Sequence, residues 1–97
     1  MIELSPEASR HIAAIRKHYL SRERPEALRN LAIALSEASA TIERDPAAGL
    51  SAPRPYPQLA KAQRLWLHVR RYWIAYSMTP LRIVAVFYDA ANIPKRF

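Results

Sequence analysis

The chain has no cysteine, a single glycine and, in its second half, a single acidic residue. Without cysteine there is no disulfide, no thiolate nucleophile and no cysteine-based metal site. With Gly49 alone there is no glycine-rich loop, the device by which several consecutive backbone amides approach a nucleotide's phosphates. No apolar run nears the roughly 20 residues that span a bilayer. Met1 leads straight into a charged segment rather than a leader, so the expectation is a cytoplasmic protein with no membrane contact.

The scarcity of acid is uneven. Residues 1–50 hold seven Arg or Lys and seven acids, and so balance. Residues 51–97 hold eight basic side chains against Asp89 alone, and carry the whole net charge of +7. A surplus confined to one half points to a polyanionic or acidic partner for that half: nucleic acid, ribosome or an acidic protein segment.

Apolar residues make up 51% of the chain, too many for disorder, and 97 residues suit one domain (1–97) with one core. Residues 64–88 organise it. Leu65, Leu67 and Val69 alternate with Trp66, His68 and Arg70; Tyr72, Ile74 and Tyr76 alternate with Trp73, Ala75 and Ser77; residues 81–88 are almost wholly apolar. A period of two in β-branched and aromatic residues is the strand signature. Three such runs with two tight breaks predict an antiparallel meander.

Ahead of it, Ile2 and Leu4 flank Glu3 in a short run that is either a first strand or an arm. Ser5 reads as a helix N-cap with Pro6 at the first helical position. Ala8, Ile12, Ile15 and Tyr19 then form one stripe, predicting a helix that ends near Leu20. Pro25 restarts a second helix with Leu28, Leu31, Leu35, Ala38 and Ile42 on one face and Ala32 and Ala34 beside them. It stops before Asp45-Pro46, because proline disfavours helical geometry in its predecessor. Residues 46–63, with five of the chain's irregular-structure residues (Pro46, Gly49, Pro53, Pro55, Pro57), predict an extended crossing to the sheet. The expected fold is α+β: an N-terminal strand and an antiparallel helical hairpin packed on a mainly antiparallel sheet of three to four strands.

Few residues offer chemistry. His11 and His18 are seven apart, on one helix face but two turns distant, too far to share a metal unaided. No metal site and no cofactor are expected. His68 is either a general acid–base group or a half-exposed strand histidine. The guanidinium groups stand out more: Arg64, Arg70 and Arg71 bracket the first strand of the meander, Arg82 opens its last, and Lys95 and Arg96 lie near the C-terminus. Arginine's planar fork suits phosphate and carboxylate. Trp66, Trp73, Tyr76 and Tyr88 are interleaved with these charges, as base-stacking platforms or as core.

This order of parts resembles the ParE/RelE toxin superfamily of type II toxin–antitoxin systems. The likeness covers nearly the whole chain. It is carried by Leu4-Ser5-Pro6-Glu7-Ala8 leading to Ile12 and Ile15, by Asp45-Pro46-Ala47-Ala48-Gly49, by residues 64–67, and by Tyr72-Trp73-Ile74-Ala75-Tyr76 before the apolar strand. It implies a plasmid-stabilisation type of toxin that inhibits growth and is held in a hetero-oligomer by a cognate antitoxin, whose acidic C-terminal segment would meet the basic half. ParE-like members inhibit DNA gyrase; RelE-like members cut mRNA on the ribosome. The RelE-like pattern places an arginine where this chain has Trp73, and a basic residue soon after the last strand, where it reads Asp89-Ala90-Ala91-Asn92. The ParE-like pattern closes that strand with a histidine and arginines; here Tyr88 stands there, and Lys95-Arg96 follow later. The resemblance therefore implies gyrase binding through Arg64, Arg71, Trp73, Lys95 and Arg96. The alternatives are an endoribonuclease using His68, Arg70, Arg71 and Tyr88, or a binding module of the same fold without toxicity.

Overall fold

Ser5 and Pro6 start the first helix as the sequence asks. In the computed structural model, which describes residues 2–52 and 64–88, the Ser5 side chain accepts the Ala8 N–H at 3.1 Å and Pro6 opens α1 (Pro6–Ser21). Proline costs nothing there, because a helix's first N–H has no partner anyway. After three intervening residues Pro25 opens α2 (Pro25–Arg44), which ends with only Asp45 between it and Pro46. The expected helical hairpin is present, and a two-residue strand, β1 (Glu3–Leu4), precedes it.

The meander is β2 (Leu65–Val69), β3 (Tyr72–Met78) and β4 (Leu81–Tyr88), paired antiparallel. The short run at Ile2 to Leu4 is a strand and not an arm: β1 lies parallel to β4, with Glu3 opposite Arg82 and Leu4 opposite Ile83. The sheet order is β1-β4-β3-β2, so the fold is α+β with a mixed, mostly antiparallel sheet. A bulge between Ala75 and Tyr76 shifts the β3–β4 register, leaving Val84 as the extra residue between Ile83 and Ala85.

The two faces follow the alternation. Leu65, Leu67, Val69, Tyr72, Ile74, Tyr76, Ile83 and Val86 face the helices and share a core with Ala8, Ile12, Leu31, Leu35, Ala38 and Ile42. Each fully buried Leu or Ile here contributes about 1.5–3 kcal/mol. Trp66, Trp73, Ala75, Val84, Ala85 and Phe87 form a second buried cluster on the far face, with Leu50 against it. Burial on both faces is why β4 reads as unbroken apolar sequence. In α2, Ala34 and Ser39 are buried while Ala32 is exposed, a small rotation from the expected stripe. Burial declines along α1, from Ala8 and Ile12 in the core to half-buried Ile15 and Tyr19. The C-terminal half of that helix therefore leaves space between itself and the sheet.

The crossing begins as expected and is then tied down. The Asp45 carboxylate accepts the Ala47 N–H at 3.3 Å, an Asx-type turn, and Leu50 pairs with Trp66 through two backbone bonds of 2.7 Å. Between them, the buried Tyr76 hydroxyl donates to the Pro46 carbonyl at 2.7 Å and accepts the Gly49 N–H at 2.9 Å. The remainder of the expected crossing, residues 53–63, lies outside the described residues.

Burial holds the Tyr76 hydroxyl above the usual phenol range; the Gly49 N–H pulls it down, and Asp45 adds to the rise. The fold thus prefers neutral Tyr76, whereas the unfolded chain ionises it near pH 10. The stability gained is complete below pH 10 and is lost as pH rises through the higher folded value. Tyr76→Phe should flatten the alkaline fall in stability between pH 9 and pH 11 followed by urea denaturation. An unchanged alkaline profile would remove Tyr76 as its source.

Candidate functional site

The space left by α1 is a groove of about 1150 Å³ at one end of the sheet. Its walls come from four places: His11, Ile15, His18 and Tyr19 of α1; Arg24, Glu26 and Asn30 around the start of α2; Arg70, Arg71 and Tyr72 at the β2–β3 turn; and Val86, Phe87 and Tyr88 of β4. The register explains the convergence. Val69 pairs with Tyr72 across the two-residue turn, and Tyr72 lies opposite Tyr88, so turn and strand end meet.

Arg70 and Arg71 have different fates. Arg70 sits at φ 56°, a left-handed conformation that costs a side chain-bearing residue about 1–2 kcal/mol. Its Nε and Nη2 donate to Glu37 Oε1 at 3.3 and 2.9 Å, tying the turn to α2. Both side chains are near half exposed, at 45% and 49%, so water screens the pair. Glu37→Gln is expected to cost less than about 1 kcal/mol in urea denaturation; a larger loss would make this pair a principal tie of the fold. Arg71 is exposed, and its Nη1 approaches the Tyr88 hydroxyl at 3.5 Å.

The tyrosines form the floor. The Tyr19 and Tyr72 hydroxyls share a hydrogen bond of 2.5 Å between α1 and β3, and the Tyr72 and Tyr88 rings meet at 5.8 Å, tilted by 60°. His11 accepts the Val86 N–H on Nδ1 at 3.3 Å, and its ring lies 4.8 Å from Phe87. It thereby caps part of the β4 edge that the two-residue β1 is too short to cover. His18 is exposed at the rim. Three of the described basic side chains line the groove against one acid, Glu26, so the site is positive.

Of the four residues named for RNA cleavage, Arg70, Arg71 and Tyr88 are brought together and His68 is not. His68 lies on the far face, stacked on Trp73 at 4.6 Å. Of the residues named for target binding, Arg71 lines the groove. Arg64 precedes β2 at the opposite end of the sheet, and Trp73 is 5% exposed in the second core cluster. Lys95 and Arg96 lie outside the described residues. Trp66 and Tyr76 are fully buried, so neither offers a ring to a base.

Sequence reasoning missed the contribution of α1. His11, Ile15 and His18 recur at spacings of four and three, a second face beside the Ala8–Ile12–Ile15–Tyr19 stripe. That spacing was the available signal. Among the described residues no three His, Asp or Glu side chains stand together as a metal would require, and no helix is long and apolar enough to cross a membrane. No protein-family model matches the chain, and no curated protein matches it.

Proposed function

We propose that this protein is the toxin of a type II toxin–antitoxin pair of the ParE/RelE kind, acting by binding DNA gyrase. The observation that carries the choice of binding over cleavage is the placement of His68. Of the two groups named for proton transfer in RNA cleavage, His68 and Tyr88, only Tyr88 stays beside Arg71; His68 faces away, and Arg70 is already engaged by Glu37. What remains in the groove is a positive, partly apolar recess, suited to holding an anionic segment of a partner. The same positive charge suits an acidic antitoxin segment, which would shield the groove until the antitoxin is degraded.

A second reading rests on a separate observation. His11 and His18 line the groove that holds Arg71 and Tyr88. Proton transfer from a histidine beside a guanidinium is the chemistry of phosphodiester cleavage. His11 Nδ1 is occupied by the Val86 N–H, which leaves His18 as the freer of the two for such a role.

The two readings part in cells. Inducing the protein in bacteria should arrest growth and relax a reporter plasmid, with mRNA ends unchanged. Co-expression of the cognate antitoxin should reverse the arrest. Rapid appearance of mRNA ends at ribosome-positioned codons with normal plasmid supercoiling would replace the first reading by the second.

A further inference from the structure

Tyr72 and Tyr76 lie two positions either side of Ile74 on the helix-facing side of β3, and each uses its hydroxyl to pin a different segment. Tyr76 holds the crossing through Pro46 and Gly49. Tyr72, only 3% exposed, reaches the other way, and its hydroxyl meets that of Tyr19 on the last turns of α1. A buried hydroxyl without a partner is costly, so this bond fixes where the Tyr72 ring can lie. On that ring rests Tyr88, directly opposite in the register, and the Tyr88 hydroxyl stands beside the Arg71 guanidinium. Arg71 is also the residue just before Tyr72, so backbone and ring contacts both lead from the hydroxyl pair to the same guanidinium.

We infer that Tyr19 and Tyr72 are positioning residues for Arg71: their hydroxyl bond sets the Tyr72 ring, the ring props Tyr88, and Tyr88 holds the guanidinium over the groove. The inference deepens the binding reading, in which Arg71 makes the contact with the target. An arginine on a two-residue turn otherwise samples many rotamers, and ordering it on binding weakens affinity. A tyrosine held from behind lowers that cost by restricting the guanidinium beforehand. Neither Tyr19 nor Tyr72 needs to touch the target.

Two conservative variants, Tyr19→Phe and Tyr72→Phe, keep the rings and remove one hydroxyl each. The Arg71 Nε–Hε signal, followed by nitrogen-15 relaxation in the free protein, reads the guanidinium without any target. It should become more mobile in both variants and in Tyr88→Phe. Inhibition of gyrase supercoiling should weaken about tenfold in either hydroxyl variant, with no further loss when combined with Arg71→Ala. An unchanged Arg71 signal in both variants would overturn the inference, and so would losses that add fully to that of Arg71→Ala. If the wild-type protein leaves gyrase untouched, the target assignment fails, while the relaxation measurement still decides the positioning role.

Discussion

Gly49→Ala is expected to cost the fold about 2–3 kcal/mol and to lower Tm by roughly 10–20 °C. Gly49 is not at positive φ, so the substitution does not strain the backbone conformation. The cost is one of space. A Cβ at Gly49 would stand 2.7 Å from the Tyr76 hydroxyl, 2.8 Å from Tyr76 Cε1 and 2.8 Å from Leu65 Cβ, distances that side chains do not tolerate. Leu65 Cβ is fixed to strand backbone, and Tyr76 is fully buried and held by Pro46, so neither neighbour can swing away. The chain must instead move, and moving it stretches the bonds from Tyr76 to Pro46 and Gly49. In the Gly49→Ala background, Tyr76→Phe should therefore cost less than it does alone, because it removes one of the three clashes. Thermal and urea denaturation of the four proteins measure this. A Gly49→Ala protein within about 0.5 kcal/mol of wild type would show that the crossing adapts freely.

Arg71→Ala is expected to weaken target inhibition about 30-fold or more while leaving stability within about 0.5 kcal/mol of wild type. The asymmetry with its neighbour motivates the expectation. Arg70 is bound to Glu37 and helps hold the turn, whereas the exposed Arg71 reaches Tyr88 through one long contact. Arginines at the centre of an interface are frequent hot spots, since a guanidinium can make several hydrogen bonds to a carboxylate or phosphate at once. Arg71→Lys keeps the charge and loses the fork, and should recover only part of the loss. Full activity in Arg71→Ala would move the contact surface away from the groove.

The meander was legible because a two-residue period has one structural meaning, and the strands at residues 65–69, 72–78 and 81–88 lie where the alternation placed them. Helix starts at Pro6 and Pro25 were legible for the same kind of reason: proline is tolerated at few helical positions. Gly49 could be read as punctuation, but its purpose could not. Only the fold brings Tyr76, 27 residues on, against it. The groove was half legible. The charge count found Arg70 and Arg71, and the strand pattern ended on Tyr88. The His11–Ile15–His18 spacing marked a second face on α1, but nothing in the local sequence said that the helix would rise off the sheet beyond Ile12 and set that face, with Tyr19, towards those arginines. That depends on how two helices of unequal burial share one sheet face. Nor could alternation alone tell which side of β2 and β3 meets the helices, which is why His68 and Trp73 were candidates for a site that lies on the opposite face.

The most direct test is supercoiling by purified gyrase, titrated with the wild-type protein and with Arg71→Ala. The proposed function predicts dose-dependent inhibition by the wild type, relieved by the cognate antitoxin, with the Arg71→Ala curve displaced about 30-fold to higher concentration. Undiminished supercoiling at saturating wild-type protein, with cleavage of mRNA on purified ribosomes by the same preparation, would contradict it.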